Sequence, residues 1–137
     1  MADKKKLTIA IMDAPFENAR TVTAMRLLDI AARRGYEVTV FAYEGAVALP
    51  FAKQAQHPNA VHGRDAAEED HPLPREWVAS LIAAAEQAGG KIDWINCGLC
   101  VDERGVAEAI PGVRRGSPAD LWKAASASDN TLIIGTR

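Results

Sequence analysis

The chain has 137 residues, 48% of them hydrophobic and 25% charged, which is ordinary usage for one globular domain spanning residues 1–137. This composition excludes a disordered or collagen-like chain, and no apolar run approaches the length needed to cross a membrane. The net charge of 16 − 18 = −2 predicts no binding of nucleic acid. The short run Lys4-Lys5-Lys6 lacks the apolar stretch of a secretory signal, so we expect a cytoplasmic protein.

The first part of the chain has the pattern of a strand–helix–strand unit. Residues 7–12 form a continuous apolar run, which is typical of a strand buried on both faces. Residues 18–34 repeat apolar side chains at helical spacing, with Asn18 as the expected N-cap and Gly35 as the residue that ends the helix. Residues 36–42 then predict a second strand.

The middle of the chain contains a polar interruption between two helical patterns. A short helix is expected within residues 45–56. Residues 57–74 are polar and predict an irregular excursion, longer than most connections in compact domains. Pro74 suits the first turn of the amphipathic helix that follows. Residues 91–96 predict a third strand, which runs directly into Cys97.

The last third of the chain continues the alternation of helices and strands. A short helix is expected between Cys97 and Gly105, and residues 117–120 have the sequence of a strong helix start. Residues 131–134 form a final apolar strand. The whole pattern predicts a doubly wound α/β fold of the flavodoxin-like kind, with a mostly parallel five-stranded sheet and helices on both faces.

The two cysteines, Cys97 and Cys100, form one CxxC motif, which is too few thiols for a disulfide framework. In open α/β sheets, chemistry collects beyond the carboxyl ends of the strands, and Cys97 is expected there, just before a helix. Free amides and the helix dipole favour a thiolate at such a position. Among the neighbouring charges, Asp102 opposes a thiolate and Arg104 favours it.

Other interpretations of the cysteine pair stay open from the residues alone. Free cysteines are often small buried hydrophobes without chemistry. A zinc site needs four ligands, so His57, His62 and His71 would have to complete the pair. Thiol-disulfide exchange of the thioredoxin type also uses CxxC, usually after an earlier strand. The chain contains neither GxxxxGK[ST] nor GxGxxG, so no phosphate-binding loop is predicted.

Four further residues have structural explanations. Asp13 follows the first strand, where a solvated or helix-capping role is expected. Trp77 and Trp122 lie on apolar faces of predicted helices and are expected in the core. Trp94 is inside the third strand and is expected to pack beneath the cysteine segment.

The cysteine segment also carries a family pattern. A strand ends in Cys97, and the pair Arg104-Gly105 follows seven and eight positions later. This segment resembles the DsrE/DsrF-like family, which includes TusD-type and YchN-type proteins. The helix and strand within residues 117–134 also look like the end of that family's chain, whereas Cys100 has counterparts in some members only.

The resemblance implies a sulfur-relay protein, a sulfurtransferase-like carrier that holds sulfane sulfur as a persulfide on Cys97 and passes it to a partner protein's thiol. It implies no organic cofactor and no metal. It also implies a homo-oligomer, a trimer or hexamer, and a small sulfur-carrier protein as partner. Cys100 would be an accessory or resolving thiol, and Arg104 an electrostatic aid. The alternatives are a non-catalytic oligomeric scaffold or binding subunit, and a CxxC thiol-disulfide oxidoreductase.

Overall fold

Five strands form one sheet in the computed structural model, which describes residues 4–56 and 72–136. The strands lie in the order β4-β3-β2-β1-β5, and every neighbouring pair is parallel. Helices cover both faces of this sheet, so the prediction of a doubly wound, flavodoxin-like α/β fold is confirmed. The strands are β1 (Lys6–Ile11), β2 (Glu37–Ala42), β3 (Lys91–Cys97), β4 (Val113–Gly116) and β5 (Asn130–Ile134).

The four α-helices begin and end where local sequence signals predict. The Asn18 side chain accepts the amide of Arg20 at 2.7 Å and caps the first helix, and Gly35 follows that helix with φ 69°. Ser117 and Asp120 form a capping box at the start of the last helix. The helices are α1 (Ala19–Arg33), α2 (Pro74–Gln87), α3 (Gly98–Glu103) and α4 (Pro118–Ala127).

Two predicted elements differ from the structure. The helix expected within residues 45–56 is only a 3₁₀ turn, Glu44–Ala48, because the Pro50 ring cannot continue an α-helical hydrogen-bond ladder. Strand β4 is not located by the sequence pattern. Its four residues, with Arg114 and Arg115 at the centre, lack both apolar alternation and a branched run, and their place in the sheet depends on pairing with β3.

The two faces of the sheet have different cores. The first face carries alternate side chains of the strands, among them Ile9, Val40 and Trp94, and α1 and α2 pack against it. The second face carries Phe41 and Ile95 and is covered by α3, α4 and the 3₁₀ turn.

Among the described residues, no helix is both long and apolar enough to cross a bilayer.

Two expectations about tryptophans are wrong. Trp94 does not lie beneath the cysteine segment, because it is three positions from Cys97 and successive strand side chains alternate between faces. Trp122 is not in the core but 78% exposed, and α4 contains no buried residue. The partly buried residues of α4 include Leu121, Ala124 and Ala125, whereas nothing within the described chain covers Trp122.

Candidate functional site

The two cysteines lie together at the carboxyl end of β3. Cys97 is the last residue of that strand and the N-cap of α3, and Cys100 follows in the first turn of the helix. Both thiols are free. They are 5% and 8% exposed, so the pair lies just beneath the surface of the single chain.

The dipole of helix α3 stabilises a negative charge on the Cys97 sulfur only weakly. The helix contains six residues, and a macrodipole sums over aligned peptide units, so a helix this short contributes less than a longer one. The groups that surround the cysteine pair are therefore more important for the environment of the Cys97 sulfur than the helix dipole is. Those groups come from three places: the turn after β2, the end of α3, and β4.

Cys100 is held by the turn after β2. The backbone N–H of Glu44 donates to the Cys100 sulfur at 3.1 Å. Burial raises the pKa of Cys100; the bond from the Glu44 amide opposes this rise, whereas the Cys97 sulfur and the Glu44 carboxylate add to it. Cys100 therefore keeps its proton at neutral pH.

Arg104 contacts this same turn. It is the C-cap of α3, and its Nη2 lies 2.9 Å from the Glu44 carboxylate oxygen Oε2. Glu44 itself has φ 52°, a left-handed conformation that costs a residue with a side chain about 1–2 kcal/mol. The ion pair and the amide–sulfur bond both hold Glu44 in this conformation. The structure thus connects Arg104 to Cys100 through Glu44.

Tyr43 completes the turn beside the cysteines. Its ring packs against Phe41 with ring centroids 5.4 Å apart. Burial raises the pKa of the Tyr43 hydroxyl, and the charges of Glu44 and Cys100 raise it further. Tyr43 therefore stays neutral and forms an apolar wall with a hydroxyl near the Cys100 side of the pair.

The site contains one arginine that the sequence analysis did not identify. Arg115 of β4 donates through Nη2 to the Gly98 carbonyl at 3.1 Å and binds both carboxylate oxygens of Asp102, at 2.9 and 3.2 Å. It also interacts electrostatically with Cys97. Arg115 can be identified as part of the site only from the pairing of β4 with β3, which sets Gly116 beside Cys97. No sequence pattern reveals that pairing.

Arg115 also changes the effect of the acidic residues near the cysteines. The hydrogen bond from Arg115 lowers the pKa of Asp102 below its usual range, so this carboxylate is ionised and paired. The negative charge that the sequence analysis expects to oppose a thiolate is thus largely engaged by a cation. Arg115 and Asp102 therefore form an ion pair at the turn that follows Cys97.

Two other groups of candidate residues lie away from the cysteines or outside the described chain. Asp13 is not solvated but 2% exposed, and it accepts a hydrogen bond from Asn18 Nδ2 at 2.8 Å, which orients the cap of α1. The described residues contain no group of three or more potential metal ligands. The candidate zinc ligands His57, His62 and His71 lie outside the residues that the structure describes.

The fold and the site define an α/β protein that carries two free cysteines at the carboxyl edge of a doubly wound parallel sheet. The model of the DsrE/DsrF-like family matches residues 5–133, and the chain belongs to this family. The family is generally associated with sulfur relay. The resemblance seen in the sequence is therefore confirmed.

Similar proteins match nearly the whole chain. An uncharacterised protein of Methanopyrus kandleri is 28% identical over 130 residues, which are 93% of each chain. An uncharacterised protein of Methanocaldococcus jannaschii is 28% identical over 129 residues, covering 93% of this chain and 97% of the relative. The crystal structure of the YchN protein from E. coli superposes with a TM-score of 0.73 at 17% identity, covering 94% of this chain and 98% of YchN, and so shares the fold.

Proposed function

We propose that the protein is a cytoplasmic sulfur-relay carrier in which Cys97 holds sulfane sulfur as a persulfide and passes it to a thiol of a partner protein. The observation that carries this proposal is the pair of free cysteines, Cys97 and Cys100, at the carboxyl edge of the sheet, within a family associated with sulfur relay. The guanidinium of Arg115, which donates to the carbonyl of Gly98 next to Cys97 in the chain, supports the same chemistry.

The relay consists of two thiol exchanges and needs no cofactor. The Cys97 thiolate attacks the terminal sulfur of a donor persulfide RS–SH, a new S–S bond forms on Cys97, and RS⁻ leaves. The acceptor thiolate then attacks the terminal sulfur of Cys97–S–SH, and Cys97 leaves as a thiolate. Each step exchanges one S–S bond for another, so no net oxidation or reduction occurs.

In this scheme, Cys100 stays protonated and does not attack the persulfide on Cys97. A Cys100 thiolate would attack the Cys97 sulfur of the persulfide, form a disulfide and expel HS⁻. Because the pKa of Cys100 is raised, mainly by burial, its thiolate is scarce at neutral pH. The buried Cys100 thiol therefore preserves the persulfide until the acceptor arrives.

The surface around the site supports protein partners. We propose a homo-oligomer, a trimer or hexamer, and a small sulfur-carrier protein as the acceptor. Leu99 is 68% exposed between the two cysteines and would contact an approaching protein. Trp122 and Ile133 are 78% and 62% exposed, and large exposed apolar side chains of this kind support association between copies.

Mass spectrometry tests the assignment of Cys97. After incubation with inorganic polysulfide, the wild-type chain should gain about 32 Da per carried sulfur, on the peptide that contains Cys97. The Cys97→Ser variant should gain none, and the matched Cys100→Ser variant should still be labelled. Equal labelling of Cys97→Ser and the wild type would refute the proposal.

A thiol-disulfide oxidoreductase is the second candidate, because Cys97 and Cys100 are free thiols at the end of β3 and in the first turn of α3. This function requires both thiols and a reversible internal disulfide. It predicts that Cys100→Ser abolishes activity in a dithiol exchange assay, whereas persulfide carriage on Cys97 survives that substitution. The same pair of variants therefore separates the two functions.

The burial of Cys97 favours the third candidate, a scaffold or binding subunit without chemistry. In that case Cys97 would resist both polysulfide and a small alkylating reagent in the native protein. Rapid labelling of native Cys97, at a rate comparable to that of the unfolded chain, would exclude a purely structural role.

A further inference from the structure

We infer that Arg115 is a positioning residue for Cys97: it fixes the turn that carries the sulfur and keeps a permanent positive charge beside it, which favours both the thiolate and the persulfide anion. The part of this inference that concerns the persulfide anion rests on the proposed function. The part that concerns the thiolate does not. The two can therefore be tested separately.

The first support is the way in which Arg115 is held. Its guanidinium binds the carbonyl of Gly98, the residue next to Cys97, and it binds Asp102 through two hydrogen bonds. A two-pronged contact of guanidinium with carboxylate fixes both position and orientation. Arg115 thereby connects β4 to both ends of the first turn of α3, and the positive charge is fixed relative to the Cys97 sulfur.

The second support is the close approach at Gly98. A Cβ built at this position would lie 3.1 Å from Arg115 Nη2 and 3.4 Å from Nε. Glycine here lets the guanidinium lie directly against the backbone that follows Cys97. Any larger residue would push the charge away from the turn.

The third support comes from the other two arginines of the region, which are engaged elsewhere. Arg104 pairs with Glu44 on the Cys100 side. Arg114 binds Asp93 through two hydrogen bonds at 3.0 Å and lies 3.8 Å from Asp120. Within the part of the chain that the structure describes, Arg115 is the arginine that bonds to the turn carrying Cys97.

The chemical consequence follows from charge alone. A thiolate and a persulfide anion are both negative, whereas the thiol is neutral, so a nearby cation stabilises the reactive forms selectively. A guanidinium stays protonated throughout the physiological pH range. The Arg115 side chain is 56% exposed, so the effect of its charge on Cys97 is moderate and is screened by salt.

The experiment measures the reaction rate of Cys97 with methyl methanethiosulfonate against pH, from about pH 5 to about pH 9, by site-resolved mass spectrometry of the native protein. Arg115→Gln should change this profile and slow the reaction at pH 7 by about three- to tenfold. Arg115→Lys should restore part of the rate, because it keeps the charge but loses the two-pronged contact. Added salt at about 1 M should reduce the difference between Arg115→Gln and the wild type.

Arg114→Gln is the matched control, since Arg114 lies on the same strand, is similarly exposed at 51%, and also binds an aspartate with two hydrogen bonds. Its pH profile should coincide with that of the wild type, while both glutamine variants lose a comparable ion pair. Coincident profiles for Arg115→Gln, Arg114→Gln and the wild type would overturn the inference. An Arg115→Lys profile displaced as far as that of Arg115→Gln would overturn the role of the charge.

The proposed function fails by a different readout. If wild-type Cys97 gains no sulfur from polysulfide while Arg115→Gln still shifts the thiol profile, the persulfide function is wrong and the role of Arg115 at the thiolate stands. If sulfur is gained normally but the profiles coincide, the relay stands and the inference about Arg115 is wrong. Thermal unfolding of each variant confirms that the rates are compared between folded proteins.

Discussion

The first face of the sheet is closed by α1 and α2, whereas the second face is only partly covered by α3 and α4. On the first face, Trp94 and Leu28 are fully buried in the larger of the two cores. On the second face, α4 buries no residue completely, and Trp122 and Ile133 are exposed. The cysteines lie on this second face.

The first face therefore contains the larger buried core, whereas the second face contains the two free thiols. Burial of apolar area on the first face supplies most of the hydrophobic stabilisation. The second face combines two free thiols with exposed apolar side chains, which supports the proposal that it is used for chemistry and association. Substitutions on the two faces should therefore have effects of different kinds.

The largest effect is expected on the first face. Trp94→Ala removes a fully buried indole and leaves Asn96 Oδ1 without the Trp94 Nε1 donor that lies 3.3 Å from it. We expect a loss of about 3–5 kcal/mol in the free energy of unfolding, measured by urea denaturation. Trp122→Ala is the matched control and should change the stability of the isolated protomer by about 0.5 kcal/mol or less. Similar losses for both variants would contradict the comparison of the two faces.

The second prediction concerns association through the second face. Trp122→Glu places a charge on the exposed side of α4, so a proposed interface that covers this residue would have to bury it. We expect self-association to weaken by about tenfold or more, measured by sedimentation equilibrium. Gln87→Glu, on the exposed end of α2, controls for the same change of one negative charge. An unchanged mass distribution for Trp122→Glu would place the proposed interface elsewhere.

The third prediction is a pH dependence at the cysteine pair. Because burial raises the pKa of Cys100, its thiolate fraction is small at neutral pH and rises with increasing pH. Release of sulfide from persulfidated Cys97 should therefore increase as the pH rises, by up to about tenfold per pH unit below that pKa. A sulfide electrode measures the release, and Cys100→Ser should abolish its pH dependence. Release that is unaffected by pH would exclude Cys100 as the resolving thiol.

The architecture could be predicted from the sequence because its signals are local. Apolar runs identify β1, β2, β3 and β5, and Asn18, Gly35 and Ser117 define helix ends through capping. The CxxC motif and its position after an apolar strand single out the cysteine segment in the same way. These features need no knowledge of which elements become neighbours.

The remainder depends on contacts between distant parts of the chain. The strand β4 and the contact of Arg115 with Gly98 exist only because β4 pairs with β3. The pairing of Arg104 with Glu44 requires the left-handed turn after β2, for which Glu44 carries no sequence signal. The exposure of Trp122 shows the same limit, since helical periodicity does not indicate what covers a face.

The smallest effect is expected for the ion pair that joins α3 to the turn after β2. The side chains of Arg104 and Glu44 are 46% and 55% exposed, and solvent screens a pair of this kind. A double-mutant cycle with Arg104→Gln and Glu44→Gln should give a coupling of about 0.2–1 kcal/mol in the free energy of unfolding. A coupling well above this range would mean that the turn after β2 stabilises the second face more than its exposure indicates, because the pair would then be acting on the buried Cys100 contact as well as on itself.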